Sequence, residues 1–214
     1  MSVDTQSSVD TQNTPEARDA RGEIMEAARE GFAMKGYYGT SMGHIVKKTG
    51  LSKGAIYWYF PGKWEIYKEV VMEQTQSMID VVIPKELSLP REEVADYLIS
   101  RGERLIDMLA EDSVSRLLFV QLMLDAMRGR EEMMELAASL RESITEDAVS
   151  ILDSIFPDEP LRVDSLSHRD LVGIFVSVLN GLIMNLELMV SRDDAKKSWR
   201  FLVERVFGGV GIDA

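Results

Sequence analysis

Between Thr40 and Lys63 the chain reads TSMGHIVKKTGLSKGAIYWYFPGK, and few folds satisfy what that run demands. A hydroxyl at Thr40 or Ser41, and another at Ser52, each precede a short stretch with helical apolar spacing. A side-chain oxygen at such a place satisfies amides that have no partner within the helix. Gly50 stands between the two stretches, and glycine takes the left-handed backbone of a helix end without strain. The run therefore predicts two short helices joined by a tight turn.

At about 100° per residue the second helix separates into two faces. Ile56, Tyr59 and Phe60 share one side, and Ile45, Val46 and Leu51 are available to pack against them. Lys53, Gly54 and Tyr57 lie opposite, with Trp58 beside them. That outer face suits a DNA groove: lysine meets phosphate or guanine, a bare glycine permits close backbone approach, and the tyrosine hydroxyl donates a hydrogen bond.

The net charge of −12 runs against nucleic acid until it is divided along the chain. Residues 16–63 hold eight Lys/Arg (Arg18, Arg21, Arg29, Lys35, Lys47, Lys48, Lys53, Lys63) against five acids (Glu16, Asp19, Glu23, Glu26, Glu30), a net +3, which leaves −15 for the rest. Phosphate attraction is screened within about 10 Å at ordinary salt, so a basic module on an acidic body still binds DNA. The acidic remainder favours a single docking face.

The run Phe32, Gly36-Tyr37, Thr40, Ile45-Val46, Gly50-Leu51-Ser52-Lys53-Gly54-Ala55-Ile56-Tyr57-Trp58-Tyr59-Phe60 and Lys63 resembles the amino-terminal DNA-binding domain of TetR-family transcriptional regulators, over roughly residues 18–70. The resemblance implies an all-α chain. A three-helix helix-turn-helix domain would be followed by a larger helical domain for ligand binding and dimerisation. It also implies Lys53, Gly54, Ala55 and Tyr57 near bases and Thr40, Ser41, Ser52, Trp58, Tyr59 and Lys63 near phosphates, although the helical wheel turns Tyr59 toward the core.

Taken in order, residues 2–6 and 8–12 repeat Ser-Val-Asp-Thr-Gln in a polar stretch without apolar periodicity, so 1–17 is read as a disordered tail. Met1 to Ala20 lacks the basic start and apolar run of a secretory leader, and zero cysteines fit a reducing compartment, so a cytoplasmic protein is expected. The first helix is expected from Arg18 to Lys35. The DNA-binding domain then spans 18–63, with Tyr37 and Tyr38 touching phosphate or covering the small core. Pro61-Gly62 stops the recognition helix, and a connecting helix fills 64–83. Pro84 to Pro90 reads as a linker.

The body, 84–214, is expected to be helical near 91–111, 113–128, 130–156, 167–190 and 193–207. Leu117 to Leu124 is apolar on all sides, which predicts an enclosed central helix. Leu171 to Val190 approaches the ~20 residues that span a bilayer, but Glu187 would be costly in lipid, so a buried interface helix explains it better. With the helix of Trp199 and Phe201 it would form, by resemblance, a four-helix bundle with a second copy. Leu105, Met108, Leu122, Met123, Met127, Phe175 and Leu179 are offered as lining an apolar effector cavity, with Gln121, Asn180 or Asp125 orienting a polar group.

Catalysis finds little support. His44 and His168 stand at helix starts in unrelated surroundings, and the pairs Glu131-Glu132 and Asp193-Asp194 compensate helix dipoles. No metal-ligand spacing, nucleophile elbow or phosphate-binding glycine loop is present, so no enzyme, metal or cofactor is expected. The expectation is a ligand-responsive homodimeric regulator, by resemblance a repressor of a palindromic operator. The alternative is a DNA-binding activator or architectural protein whose body serves only dimerisation or partner binding.

Overall fold

A computed structural model describes residues 15–83, 89–157 and 166–207, with side chains from residue 20 onward. The repeated pentapeptide and most of the expected linker lie outside these residues. Nine α-helices follow one another among the described residues: α1 (Pro15–Gly39), α2 (Met42–Thr49), α3 (Lys53–Tyr59), α4 (Lys63–Val82), α5 (Val94–Glu111), α6 (Ser113–Met127), α7 (Glu131–Ile155), α8 (His168–Asn185) and α9 (Arg192–Phe207).

The local signals act where expected in the helix-turn-helix. Ser41 caps α2 by accepting the His44 amide at 3.1 Å, and Ser52 caps α3 by accepting the Ala55 amide at 3.1 Å. Gly50 sits at φ 71° and its N–H closes on the Val46 carbonyl at 3.0 Å. The first helix runs four residues past the expected Lys35, but it breaks at Gly36, where φ 67° and ψ 179° suit glycine alone.

Two apolar cores form. One gathers Ile24, Phe32, Ile45, Ile56, Phe60 and Tyr67 from α1–α4, and it also takes in Leu118 and Leu122 of α6 and Met133 and Leu136 of α7. The first core therefore extends beyond the helix-turn-helix. The other core joins α5, the end of α7, α8 and α9 around Ile106, Leu109, Leu171, Ile183, Trp199 and Val203. Here α5 and α9 come very close at Gly102: a β-carbon there would lie well inside van der Waals contact with the Trp199 indole. That indole is fixed by donating to the Leu98 carbonyl at 2.9 Å.

Two expectations for the body change. The eighth helix ends at Asn185 rather than 190, because the Asn185 carbonyl accepts from Leu188, Met189 and Val190 and Glu187 turns to φ 62°. The apolar sixth helix is not enclosed on every side. Leu118 and Leu122 are buried, but Leu117 and Leu124 are each 38% exposed and Met127 is 80% exposed. Its neighbours α1, α4, α5, α7 and α8 cover only part of its circumference. No helix among the described residues is long and apolar enough to cross a membrane.

Candidate nucleic-acid interface

Helix α3 is two turns long and is held from beneath by Ile56, which is fully buried, and Phe60. Burying a side chain of this size is worth about 1.5–3 kcal/mol, enough to fix which face of so short a helix points outward. Lys53, Gly54, Tyr57 and Trp58 are exposed, and the Lys53 ammonium sits 5.6 Å from the Tyr57 ring centroid. Ala55 is half-buried, and Tyr59 is half-buried against the first core with its ring edge-on to Trp58 at 4.7 Å. Ser41 and Ser52 are exposed, and Lys47 and Lys48 add cations on α2, Lys48 paired with Glu30.

Thr40 lies elsewhere than expected. Its side chain is fully buried and its hydroxyl donates to the Gly36 carbonyl at 3.0 Å, so the residue closes the break in α1 and does not face a phosphate. The Lys63 ammonium is also largely committed, donating to the carbonyls of Tyr37 at 2.7 Å and Thr40 at 2.8 Å. It rests 4.1 Å from the Tyr37 ring centroid, and burial lowers its pKa. An ammonium has three donors, so one N–H remains for an outside acceptor.

The residues offered as an effector cavity divide between the two cores. Leu105 and Leu179 are buried in the second core, where Phe175 also packs, its ring 5.5 Å from Trp199 and 5.7 Å from Phe207. Met108 is half-buried against the same core, Leu122 and Met123 belong to the first, and Met127 is exposed. Asn180 is half-buried on α8. Gln121 and Asp125 face the amino-terminal module: the Gln121 amide oxygen lies beside Gly36, and the fully buried Asp125 carboxylate accepts the Tyr37 N–H at 3.2 Å. The shallow depression between α4 and α6, lined by Val71, Thr75, Met78, Leu118, Phe119 and Leu122, holds about 10 Å3. An open groove of about 620 Å3 lies instead beside Arg21, Phe60, Lys68 and Met72 on the module.

A second joint ties α1 to the body. Arg29 donates to Asp112 at 2.5 Å and to the Ser115 hydroxyl at 2.9 Å, and that hydroxyl lies 2.8 Å from Gln74 of α4. Burial opposes ionisation of Asp112, but hydrogen bonds from Ser115 and the Arg29 charge outweigh it and lower its pKa. Sequence reasoning missed these partners because they are 83 and 86 residues apart along the chain. It also missed Arg130, which is exposed and whose guanidinium stacks 4.3 Å from the Tyr38 ring centroid. The glycine-broken end of α1 with its paired tyrosines was a local hint that something must seat there.

The family model described as "Bacterial regulatory proteins, tetR family" matches residues 24–70. Among curated relatives, the HTH-type transcriptional regulator LmrA of Bacillus subtilis (strain 168) is 41% identical over 59 residues, 27% of this chain and 31% of that one. The HTH-type transcriptional repressor AcnR of Corynebacterium glutamicum is 36% identical over 64 residues, 30% of this chain and 34% of that one. The matched stretch thus spans about a third of the length of these relatives. In three dimensions the chain resembles Salmonella enterica GusR, with a TM-score of 0.74 at 20% identity over 92% of this chain and 99% of that one.

Proposed function

We propose that this chain, whose residues 24–70 match the family model of the tetR bacterial regulatory proteins, is a transcriptional regulator that binds a palindromic operator as a homodimer and most simply acts as a repressor. The observation that carries the reading is the outer face of α3, where Lys53, Gly54 and Tyr57 stand exposed over a fully buried Ile56. In this reading Lys53, Gly54 and Tyr57 approach bases, while Ser41, Ser52, Trp58 and the remaining Lys63 donor approach phosphates. Ala55 and Tyr59 serve mainly to seat the helix.

Dimerisation is supported by the apolar side chains that α8, α9 and their turn leave exposed, among them Ile174, Leu188, Met189 and Phe201. A second copy covering them would bring two α3 helices to half-sites about one helical turn or more apart. The name of the repressor AcnR favours repression over activation.

Release by a small apolar or amphipathic effector would act through α6, which gives Leu118 and Leu122 to the first core while Phe119 packs on the second. A ligand preferring a displaced α6 would shift the module by its differential affinity for the two arrangements. The close packing of Phe175 on Trp199 and Phe207 favours a second reading, a DNA-binding dimer without a small-molecule site.

The test is selection of a preferred duplex from random DNA, followed by gel-shift titration. Tyr57→Ala should weaken binding by about 1–3 kcal/mol. Wild-type protein that selects no duplex, or a Tyr57→Ala variant as tight as wild type, removes the proposal.

A further inference from the structure

We infer that the turn between α6 and α7, Arg128-Gly129-Arg130, is a second phosphate-contacting edge, so that the body as well as the helix-turn-helix grips the duplex backbone. The inference rests on the DNA-binding reading above and extends it to residues outside the module.

All three residues are exposed, and Gly129 at φ 73° lets the chain reverse between the two helices. The Arg130 guanidinium lies 4.3 Å from the centroid of Tyr38, a ring 47% exposed. The Lys63 ammonium lies 5.9 Å from the same ring. A line of cation, aromatic and cation therefore runs from the start of α4, across the end of α1, to the start of α7. Tyr38 is three residues from Ser41, the cap of α2, and the first helix of a helix-turn-helix crosses the DNA backbone. Arg130 is thereby held where the module meets phosphate.

The chemistry fits that partner. An arginine laid on an aromatic face is pre-oriented, and its fork of N–H donors matches the oxygens of a phosphate. Arg130 makes no side-chain hydrogen bond to any described residue, so the fork is not already occupied. Arg128 pairs with Asp125 at 3.0 Å, but that carboxylate is buried and takes the Tyr37 N–H as well, while the arginine keeps most of its surface in solvent. Glu131 and Glu132 in the first turn of α7 are the nearby opposing charges, and both are exposed. Outside residues 16–63 the chain carries −15, so two arginines at this one turn, beside the module, run against the charge of the body.

The experiment is a salt titration of the full chain on the duplex it selects, comparing wild type, Arg130→Gln, Arg130→Lys and the double variant Arg128→Gln/Arg130→Gln, with thermal unfolding of each. Removing one phosphate contact should reduce the slope of log affinity against log salt by about 0.9, and the double variant by up to twice that. Over a fourfold rise in salt, wild-type affinity should then fall about 3.5-fold more than that of R130Q. Arg130→Lys keeps the charge and should keep the slope. Slopes identical to wild type in R130Q and the double variant would overturn the inference. So would equal losses of affinity in R130Q and R130K with slope unchanged and unfolding temperature lowered, the signature of a mere staple on Tyr38. Tyr57→Ala measured alongside separates the two ideas: if it loses binding while R130Q behaves as wild type, the base-reading face stands and only the body contact falls.

Discussion

The amino-terminal helices and the last five are built from similar apolar residues, yet they hold themselves together differently. Around α2 and α3 almost every feature has a local cause: Ser41 and Ser52 cap, Gly50 turns, and Ile45 and Ile56 anchor. Around α5 and α9 the decisive contact is between residues about a hundred positions apart, the Trp199 indole lying across Gly102 and bonding Leu98. The module is specified by neighbours in sequence, the body by neighbours in space. The difference has a functional side, because the caps and turn of α2 and α3 keep their outward face by local means, while the arrangement of the body depends on contacts between residues far apart along the chain.

The sharpest way to break this contrast is at Gly102. Gly102→Ala puts a methyl group into the indole of the buried Trp199, so overpacking should destabilise the chain by about 3 kcal/mol. Denaturant unfolding with a tryptophan-fluorescence readout checks it. A glycine in mid-helix otherwise gains from alanine, so a stabilised variant would show that the α5–α9 approach does not govern the body.

Next in size is Asp125, where the two regions meet. Its carboxylate reaches from α6 to the Tyr37 N–H at the Gly36 break, so the module is not wholly specified by local features. Asp125→Ala leaves a part-buried donor unpaired, which should lower stability by about 1–3 kcal/mol and loosen the hold of α6 on α1. Hydrogen exchange at the Tyr37 amide would report the second effect directly. Unchanged protection there would mean that the module closes without the body and is specified by local features after all.

What could be read in advance follows the same division. The helix-turn-helix, its caps and its outward face were legible because each depends on residues within about four positions of one another. A hydroxyl before a helix signals a cap equally well at Thr40 and Ser41, and only the fold decides that Ser41 caps; the phosphate contact that the resemblance implied for Thr40 fails because its side chain turns inward to Gly36. Leu117 and Leu124 misled because a helix apolar on every side carries no record of which side its neighbours leave open. Asp125 and Gln121 looked like polar groups in an apolar body; their partner is a backbone break nearly ninety residues earlier, which no local pattern announces.

The smallest effect belongs to the charged strap that reinforces α5 against α9. Asp107 of α5 meets Arg192 and Lys196 of α9, each at 2.5 Å. Burial opposes ionisation of this carboxyl, but the hydrogen bonds from Lys196 and Arg192 and their charges outweigh it and lower its pKa. A carboxyl whose pKa is lower folded than unfolded contributes stability above its unfolded value, about 3.9, and loses it as pH falls through the folded value. Asp107→Asn should therefore lower the unfolding temperature slightly at pH 7, and the gap from wild type should close as the solution is acidified below pH 4. Because the pair is partly exposed, added salt should narrow the gap as well. A gap that persists unchanged in acid would mean that Asp107 holds α9 through packing or uncharged hydrogen bonds and not through its charge.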